Sequence, residues 1–221
     1  MAEPAAVSKA PAAGQRRARR RAETIEEILR LALEIMGEAG VGGLTFAELA
    51  RRLGVRPPSL YKYFASVHAL YDELFRRGQL DHLAAVATAM AQASPGMPAV
   101  TAGLMAGARW SAAHPVLSQL LFWRPVPGFE PSPDAFVPSV EMVDLFRRAL
   151  QEAVAAGQVG PEAADDQALA LVSVIAAGTA SQYLANEPGT AWSDSRFLTL
   201  VPYAVDVLTA AYRGDAEEDP Q

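Results

Sequence analysis

The chain has 221 residues, of which 51% are hydrophobic, enough for a sizeable core in one large domain or in a small module joined to a larger one. It contains no cysteine, which excludes disulfides and thiolate metal sites. The net charge of −6 is uneven, because residues 1–80 carry +4 and residues 81–221 carry −10. This asymmetry indicates either that only the first third meets a polyanion or that a disordered basic leader precedes an acidic protein.

Residues 1–23 are rich in Ala, Pro and Arg and show no apolar period, which predicts a flexible basic arm. The arm either makes defined contacts with a polyanion or adds only sequence-independent attraction to it. Its arginines are Arg16, Arg17, Arg19, Arg20 and Arg21. No signal-peptide pattern and no uninterrupted run of eighteen apolar residues is present, so we expect a cytoplasmic protein without a membrane partner.

A first helix is predicted to begin at Thr24, which forms a capping box with Glu27. Apolar residues recur behind this cap at steps of three and four, which indicates one buried face. Glycines end the helix, because they break the apolar period and allow the chain to turn. They are Gly40, Gly42 and Gly43.

Two short helices joined by a tight turn follow. Thr45 and Glu48 form a second capping box, and Gly54 can take the left-handed conformation that the turn requires. Pro57 fits the first turn of the next helix, which is predicted to end near Phe64. Such a pair of helices is typical of a helix-turn-helix.

The rest of the chain also has helical periodicity, and no alternating pattern indicates a strand. A long helix capped by Ser66 is predicted to run to Gln92, and the proline-rich segment 124–133 is predicted to be an irregular loop. Further helices are predicted over residues 98–113, 115–123, 135–156, 162–186 and 195–213. The sequence therefore predicts an all-α fold with four parts: an arm over 1–23, a three-helix helix-turn-helix domain over 24–66, a helical ligand-binding and dimerisation domain over 67–213, and an acidic tail over 214–221.

The segment from Thr45 to Phe64 resembles the DNA-binding signature of TetR/AcrR transcriptional regulators. The matching positions are Thr45, Leu49-Ala50, Gly54-Val55, Ser59-Leu60-Tyr61 and Tyr63-Phe64. Two positions depart from the family pattern. Tyr63 stands where the family often has His, and Val67 stands where a phosphate-binding Lys is usual.

The resemblance implies a recognition helix that binds double-stranded operator DNA. Arg56 is expected to read base edges, and Pro57 and Pro58 are expected to pack against thymine methyl groups. Hydroxyl groups and one ammonium are expected to bind phosphates. The residues expected to supply them are Thr45, Ser59, Tyr61, Lys62 and Tyr63. The alternative for Tyr61 and Tyr63 is packing in the core of the small DNA-binding domain.

The resemblance also implies a homodimer formed by the last two long helices, and a small-molecule effector. The last helix carries an apolar stripe broad enough for a core and a partner together, at Leu198, Val201, Val205, Leu208 and Tyr212. Aromatic, Met and polar side chains in the middle of the chain are candidates for a ligand pocket or for an ordinary core. The candidates are Met105, Trp110, Phe122, Trp123, Met142, Phe146, Gln182 and Tyr183.

Motifs of an enzyme are missing from the sequence, which has three histidines and neither a HExxH pair nor a GxSxG elbow. We therefore expect no catalytic residue, no metal and no cofactor. The predicted function is a DNA-binding repressor that a small apolar ligand releases from its operator. The alternative is a dimeric DNA-binding regulator without a small-molecule ligand.

Overall fold

The computed structural model describes residues 13–213, which form eight α-helices and five short 3-10 helices, with no strand among them. The all-α class predicted from the sequence is confirmed. The chain divides into two compact units, one ending at Leu70 and the other beginning at Tyr71, so the division falls inside the third helix. Residues 1–12 of the predicted arm, and the predicted tail, lie outside the described residues.

The first unit consists of helices and short turns, with a tight turn directly after its second α-helix. Its elements are α1 (Ala13–Ala39), a 3-10 turn (Val41–Gly43), α2 (Phe46–Leu53), a second 3-10 turn (Pro57–Ser59) and the start of α3 (Val67–Gln92). Thr45 caps α2 as predicted, because its Oγ1 accepts a hydrogen bond of 3.2 Å from the N–H of Glu48. Gly54 ends α2 in the left-handed region, with a φ of 66°.

The structure corrects the predicted start of the first helix, because α1 begins at Ala13 rather than at Thr24. The later part of the predicted arm is therefore helical. Ala, Arg and Gln dominate it, and these residues favour helix without any apolar period. Thr24 does not cap the helix, since its hydroxyl donates to the carbonyl of Arg20 at 2.9 Å. Arg21 Nη1 donates to the carbonyl of Lys62 at 2.9 Å and fastens the extension to the unit.

We call residues 56–64 the recognition segment. Between Pro57 and Phe64 this segment is not the α-helix that the sequence predicted. It is a 3-10 turn followed by further turns, in which the N–H of Leu60 binds the carbonyl of Pro57 at 3.1 Å. The N–H of Phe64 binds the carbonyl of Leu60 at 3.0 Å. A segment of this length is too short to be stable as an α-helix by propensity alone, so tertiary packing decides its shape. The turns bury Leu60 and Phe64 together in the core of the unit.

The second unit has α4 at its centre, in contact with α6, α7 and α8. Its helices after α3 are α4 (Met97–Ala113), α5 (Pro115–Trp123), α6 (Pro133–Ala155), α7 (Asp166–Asn186) and α8 (Val201–Ala211), with 3-10 turns at Pro161–Ala164, Trp192–Asp194 and Leu198–Leu200. The proline-rich segment is irregular as predicted. Ser132 ends it and holds Asp72 of α3 through its N–H at 2.7 Å and its hydroxyl at 2.8 Å.

Both of the last long helices begin later than predicted. Asp165 caps α7 by accepting a hydrogen bond of 2.8 Å from the N–H of Ala168. α8 begins at Val201, because Pro202 fits only the first turn of a helix. The residues just before each helix form 3-10 turns instead.

The predicted stripe on the last helix belongs mainly to the core. Val205 is only 2% exposed, and Leu198, Val201 and Leu208 are also buried. A charge at Val205 would therefore disrupt the core of the second unit. Other apolar side chains on this helix are exposed, and they define a separate face.

By length and composition, α7 could cross a membrane, and it is the one such helix that residues 13–213 contain. An apolar core helix passes the same test. Leu169, Val172, Ala180 and Tyr183 of α7 are buried among the other helices of the second unit. α7 therefore packs on the second unit through one buried stripe, and most of its remaining surface is exposed in the single chain.

Candidate DNA-binding surface and ligand cavity

The turn after α2 exposes the side chains of the recognition segment while the unit buries its apolar anchors. Leu49, Ala50 and Leu60 are almost fully buried. The predicted DNA contacts lie on the outside: Thr45, Arg56, Pro57, Pro58, Tyr61 and Lys62 are exposed, and Ser59 and Tyr63 are half-buried. All eight predicted residues are therefore at or near the surface of the first unit.

Tyr61 is a surface residue rather than a core residue. It is 59% exposed, and the edge of its ring packs against Phe46 with a centroid separation of 5.2 Å. This contact fixes the ring while its apolar body stays partly in solvent. A tyrosine held in this way can donate or accept a hydrogen bond with little loss of side-chain entropy on binding.

Tyr63 is the centre of a small basic cluster. Lys62 Nζ lies 4.8 Å from the centre of the Tyr63 ring, and the guanidinium carbon of Arg21 lies 5.3 Å from it. A hydrogen bond with Thr24, assisted by Lys62, lowers the pKa of Tyr63. The cluster joins the helix extension of α1 to the recognition segment, so Tyr63 acts as a support for two cations that can reach phosphates.

The arginines of the predicted arm lie on the first turns of α1, and all five are exposed. At about 100° per residue, they cover about 200° of the helix surface. Arg19 forms an ion pair with Glu23 at 3.3 Å, whereas Arg16, Arg17 and Arg20 have no acidic partner among the described residues. We call these five residues the arginine face: Arg16, Arg17, Arg19, Arg20 and Arg21.

The arginines of α2 have a structural partner. Arg51 and Arg52 both bind the carboxylate of Glu48, and Arg52 also binds Glu38 of α1 at 2.6 Å. Hydrogen bonds from Arg51 and Arg52 lower the pKa of Glu48 to about 2. This network ties α2 to α1 and neutralises charges that would otherwise be free to bind DNA.

The second unit encloses a cavity of about 390 Å³, within the range of small-molecule sites. Its wall is formed by side chains of α3 to α7 and is mostly apolar. Arg124 is the one charged residue among the described residues of this wall. It is exposed, and its guanidinium lies 6.0 Å from the centre of the Phe136 ring.

Three of the eight predicted ligand residues, Phe122, Met142 and Phe146, line this cavity. The other five lie elsewhere in the second unit. Met105 packs against the core, Trp110 is buried, and Trp123 is 41% exposed. The hydroxyl of Tyr183 donates to the carbonyl of Thr190 at 3.0 Å, and the side-chain oxygen of Gln182 accepts from Asn186 at 2.9 Å.

Trp110 lies behind the cavity wall in a stack of rings. Its centroid is 4.8 Å from that of His82 and 4.6 Å from that of His114. Its indole N–H donates to Asp81 Oδ2 at 2.7 Å, which fixes the ring plane. Trp110 therefore positions His82, a wall residue, instead of contacting the cavity itself.

Several polar wall residues were not predicted from the sequence, among them His82 on α3 and Ser139 on α6. His82 Nδ1 and Ser139 Oγ are buried, and neither has a hydrogen-bond partner among the described residues. Burial lowers the pKa of His82 to about 4, so its imidazole is neutral at neutral pH. The sequence held one signal for His82, since spacings of three and four residues place Gln79, His82 and Val86 on one face of a helix. In the structure all three residues line the cavity.

Metal binding has no evident site, since no group of three His, Asp or Glu side chains gathers within residues 13–213.

Known proteins match the two units to different extents. The sequence model described as "Bacterial regulatory proteins, tetR family" matches residues 28–74. Over 47 residues, the chain is 49% identical to the tetracycline repressor protein class A from transposon 1721 of Escherichia coli. That match covers 21% of this chain and 22% of the repressor, so the chain spans about a fifth of the curated relatives' length.

Solved structures match most of the chain. A protein of unknown function from Rhodococcus sp. RHA1 has a TM-score of 0.71 and 25% identity, covering 86% of this chain and 95% of that one. The regulator FadR from Bacillus subtilis, solved in complex with stearoyl-CoA, has a TM-score of 0.64 and 13% identity, covering 84% and 97%. At 13% identity, the likeness to FadR concerns the fold alone.

Proposed function

We propose that this chain is a dimeric repressor, which leaves its operator when a mainly apolar molecule binds it. The chain belongs to the TetR/AcrR family of transcriptional regulators. The observation that carries the proposal is the pairing of a matched helix-turn-helix with a separate unit that encloses an apolar cavity. A mostly apolar cavity of this size favours a regulator with a small-molecule effector over one without.

DNA binding is supported by the exposed residues of the recognition segment. Arg56 has a solvated guanidinium at the start of this segment, where it can bond to guanine O6 and N7. Lys62 and Tyr61 flank it with groups suited to phosphates. We infer that Arg56 reads sequence and that Lys62 and Tyr61 hold the duplex.

Dimerisation is supported by apolar side chains left exposed on the last two helices. Val174 of α7 is 64% exposed, and Tyr203 and Val207 of α8 are 66% and 52% exposed. Together with Leu171 they form what we call the α7–α8 face, which a monomer would leave in water. Two copies paired here would present two recognition segments to one operator with related half-sites.

Ligand release is supported by α3, which contributes to both units. Its first turn is capped by Ser66, whose Oγ accepts from the N–H of Ala69 at 3.0 Å. Gln79 and His82 of the same helix line the cavity. We infer that a ligand acts on DNA affinity through α3. The effect must be reciprocal, so operator DNA weakens ligand binding by the factor by which ligand weakens DNA binding.

Selection from random duplexes tests the DNA part of the proposal. We expect an enriched motif with two related half-sites about 34–36 Å apart. Arg56→Ala should relax base preference at one position in each half-site, by about 1–3 kcal/mol. Lys62→Ala should weaken binding to every sequence alike. Arg148→Ala, an exposed arginine on α6, serves as the control and should change neither property.

Recovery of no enriched motif would contradict specific operator binding. The effector part is tested separately by a thermal-shift screen of apolar compounds, followed by operator titrations with any that stabilise the protein. A compound that saturates the cavity and leaves operator affinity unchanged would contradict release by that compound. If no compound acts on operator affinity, the ligand-free regulator is the better description.

A further inference from the structure

The two buried, unpartnered polar atoms on the cavity wall, His82 Nδ1 and Ser139 Oγ, call for an explanation. Leaving a polar atom buried without a hydrogen bond costs about 1–3 kcal/mol, and native proteins contain few such atoms. Here both atoms belong to residues that line one cavity, His82 on α3 and Ser139 on α6. Both lie in a wall that is otherwise mostly apolar, so a bound molecule can supply the missing partners.

His82 is held in place on several sides. Its ring packs 4.8 Å from Trp110 and 5.5 Å, edge to face, from Phe122. A Cβ added to Gly107 would come within 3.0 Å of His82 Nε2, so glycine at this position makes room for the ring. A ring fixed in this way keeps Nδ1 at a defined position and loses little entropy when a ligand binds.

We propose that the cavity binds an apolar molecule with an uncharged oxygen-bearing head, a hydroxyl or a carbonyl, held by hydrogen bonds to His82 Nδ1 and Ser139 Oγ. This inference rests on the proposed function and names the effector class. A neutral imidazole nitrogen either donates or accepts, and a serine hydroxyl does both. The pair can therefore satisfy a ligand hydroxyl in both directions or donate to a carbonyl oxygen.

Charged heads fit the same wall less well. No acidic side chain lines the described wall, so a buried ammonium would lack a counter-ion. A carboxylate would have only Arg124, which is exposed and lies over the Phe136 ring. Burial also keeps the His82 imidazole neutral, in the presence of Asp81 and His114 as its charged or titratable neighbours.

Calorimetry with matched probes tests the inference in the absence of DNA. The probes share one naphthalene body and differ in the head: 2-naphthol, 2-acetylnaphthalene, 2-naphthoate, 2-naphthylmethylamine and 2-methylnaphthalene. We expect the naphthol and the ketone to bind about tenfold tighter than the other three, as hydrogen bonds to buried groups imply. Tighter binding of the carboxylate or the amine, or no binding of the naphthol and the ketone up to their solubility, would overturn the proposal.

Single substitutions test whether the head group of the probe forms hydrogen bonds with His82 and Ser139. Ser139→Ala should weaken 2-naphthol binding about three- to tenfold and leave 2-methylnaphthalene binding within about twofold. His82→Phe keeps a ring beside Trp110 and should have the same selective effect. Ser173→Ala is the matched control, because Ser173 also lines the cavity but its hydroxyl already donates to the carbonyl of Leu169 at 3.1 Å. Should His82→Phe fail to fold, Ser139→Ala alone decides the question.

The experiments distinguish a failure of the head-group assignment from a failure of the proposed function. A probe that binds with the expected head-group preference but leaves operator affinity unchanged supports the cavity assignment and contradicts release. Release of operator by 2-naphthoate or 2-methylnaphthalene, without effect from the naphthol and the ketone, supports the proposed function and overturns the head-group assignment. Equal losses for all five probes in Ser139→Ala would also overturn it, because a general loss indicates a structural role.

Discussion

The two units of this protein place their polar groups in opposite ways. The first unit exposes them: the recognition segment and the arginine face carry charges and hydroxyls into solvent. The second unit hides them, with His82 and Ser139 inside an apolar cavity. An exposed array suits a large polyanion that approaches from outside, whereas two buried atoms suit a small molecule that must first leave water. The difference indicates that exposed charge suits the first unit to its partner, whereas buried hydrogen-bonding groups suit the second unit to its own.

The largest expected effect comes from separating the two copies of the chain. Val174→Asp or Val207→Glu, each on the α7–α8 face, should give monomers that bind the operator about 10²- to 10⁴-fold more weakly, because bivalent binding is lost. Light scattering and operator titration measure the two properties. Val140→Glu, at an equally exposed valine of α6, is the control. A Val207→Glu protein that stays dimeric would show that the second unit pairs through another surface.

The arginine face should contribute the next largest effect. The triple change of Arg16, Arg17 and Arg20 to Ala should reduce the slope of log affinity against log salt by about two to three per chain, because each lost phosphate contact changes it by about 0.9. Operator titrations between low and physiological salt measure the slope. Changing Arg109, Arg147 and Arg148 removes the same charge from the second unit. An equal change of slope in that control would show that the slope depends on the net charge of the chain and would contradict phosphate contacts by the arginine face.

Adjacent residues at the end of α5 sharpen the boundary of the cavity. Phe122 lines it, whereas the indole N–H of Trp123 donates to Ser181 Oγ at 2.9 Å, and Trp123 is not part of the wall. Phe122→Ala should weaken binding of 2-naphthol about tenfold through lost apolar contact, and Trp123→Ala should change it by less than about twofold. Calorimetry decides between them. The reverse order would place the binding site outside the cavity.

The smallest effect concerns the ion pairs of the first unit. The pKa of Glu48 lies near 2 in the folded protein, below its ordinary value of 4.5. Its stabilising contribution is therefore present above pH 4.5 and is lost as the pH falls towards 2. The urea midpoints of Glu48→Gln and the unmodified protein should differ at pH 7 and converge as the pH falls to about 2, the folded pKa of Glu48. The difference at pH 7 should be small, since the pairs are solvated. In an Arg51→Ala, Arg52→Ala background, the same substitution should have no effect at either pH.

The sequence predicted local features well because their causes are local. The cap at Thr45 and the left-handed Gly54 each depend on one or two neighbouring residues, and the structure contains both. The start of α1 was predicted wrongly because its first turns have no apolar face, and only helix propensity and the contact of Arg21 with Lys62 support them. Propensity alone leaves no periodic signal to detect.

The cavity of the second unit was harder to predict because its residues are brought together by packing. Phe122, Met142 and Phe146 were found by their size and type, but Trp110 and Tyr183 have the same character and lie outside the wall. His82 carries no motif, and only its burial beside Ser139 draws attention to it. Val205 and Val207 likewise belong to one apolar helix, and the tertiary structure alone separates core from surface.

The open face of α7 has a consequence for how affinities should be measured. Ser173, Ala176 and Ala177 line the cavity and are also exposed in the single chain, so they form a thin wall between ligand and solvent. If two chains pair through α7, a partner helix covers that wall. Mass action then makes the apparent ligand affinity depend on protein concentration, and ligand shifts the monomer–dimer equilibrium by the same factor. A ligand titration repeated at nanomolar and micromolar protein concentrations would therefore report the monomer–dimer equilibrium through the change in apparent ligand affinity.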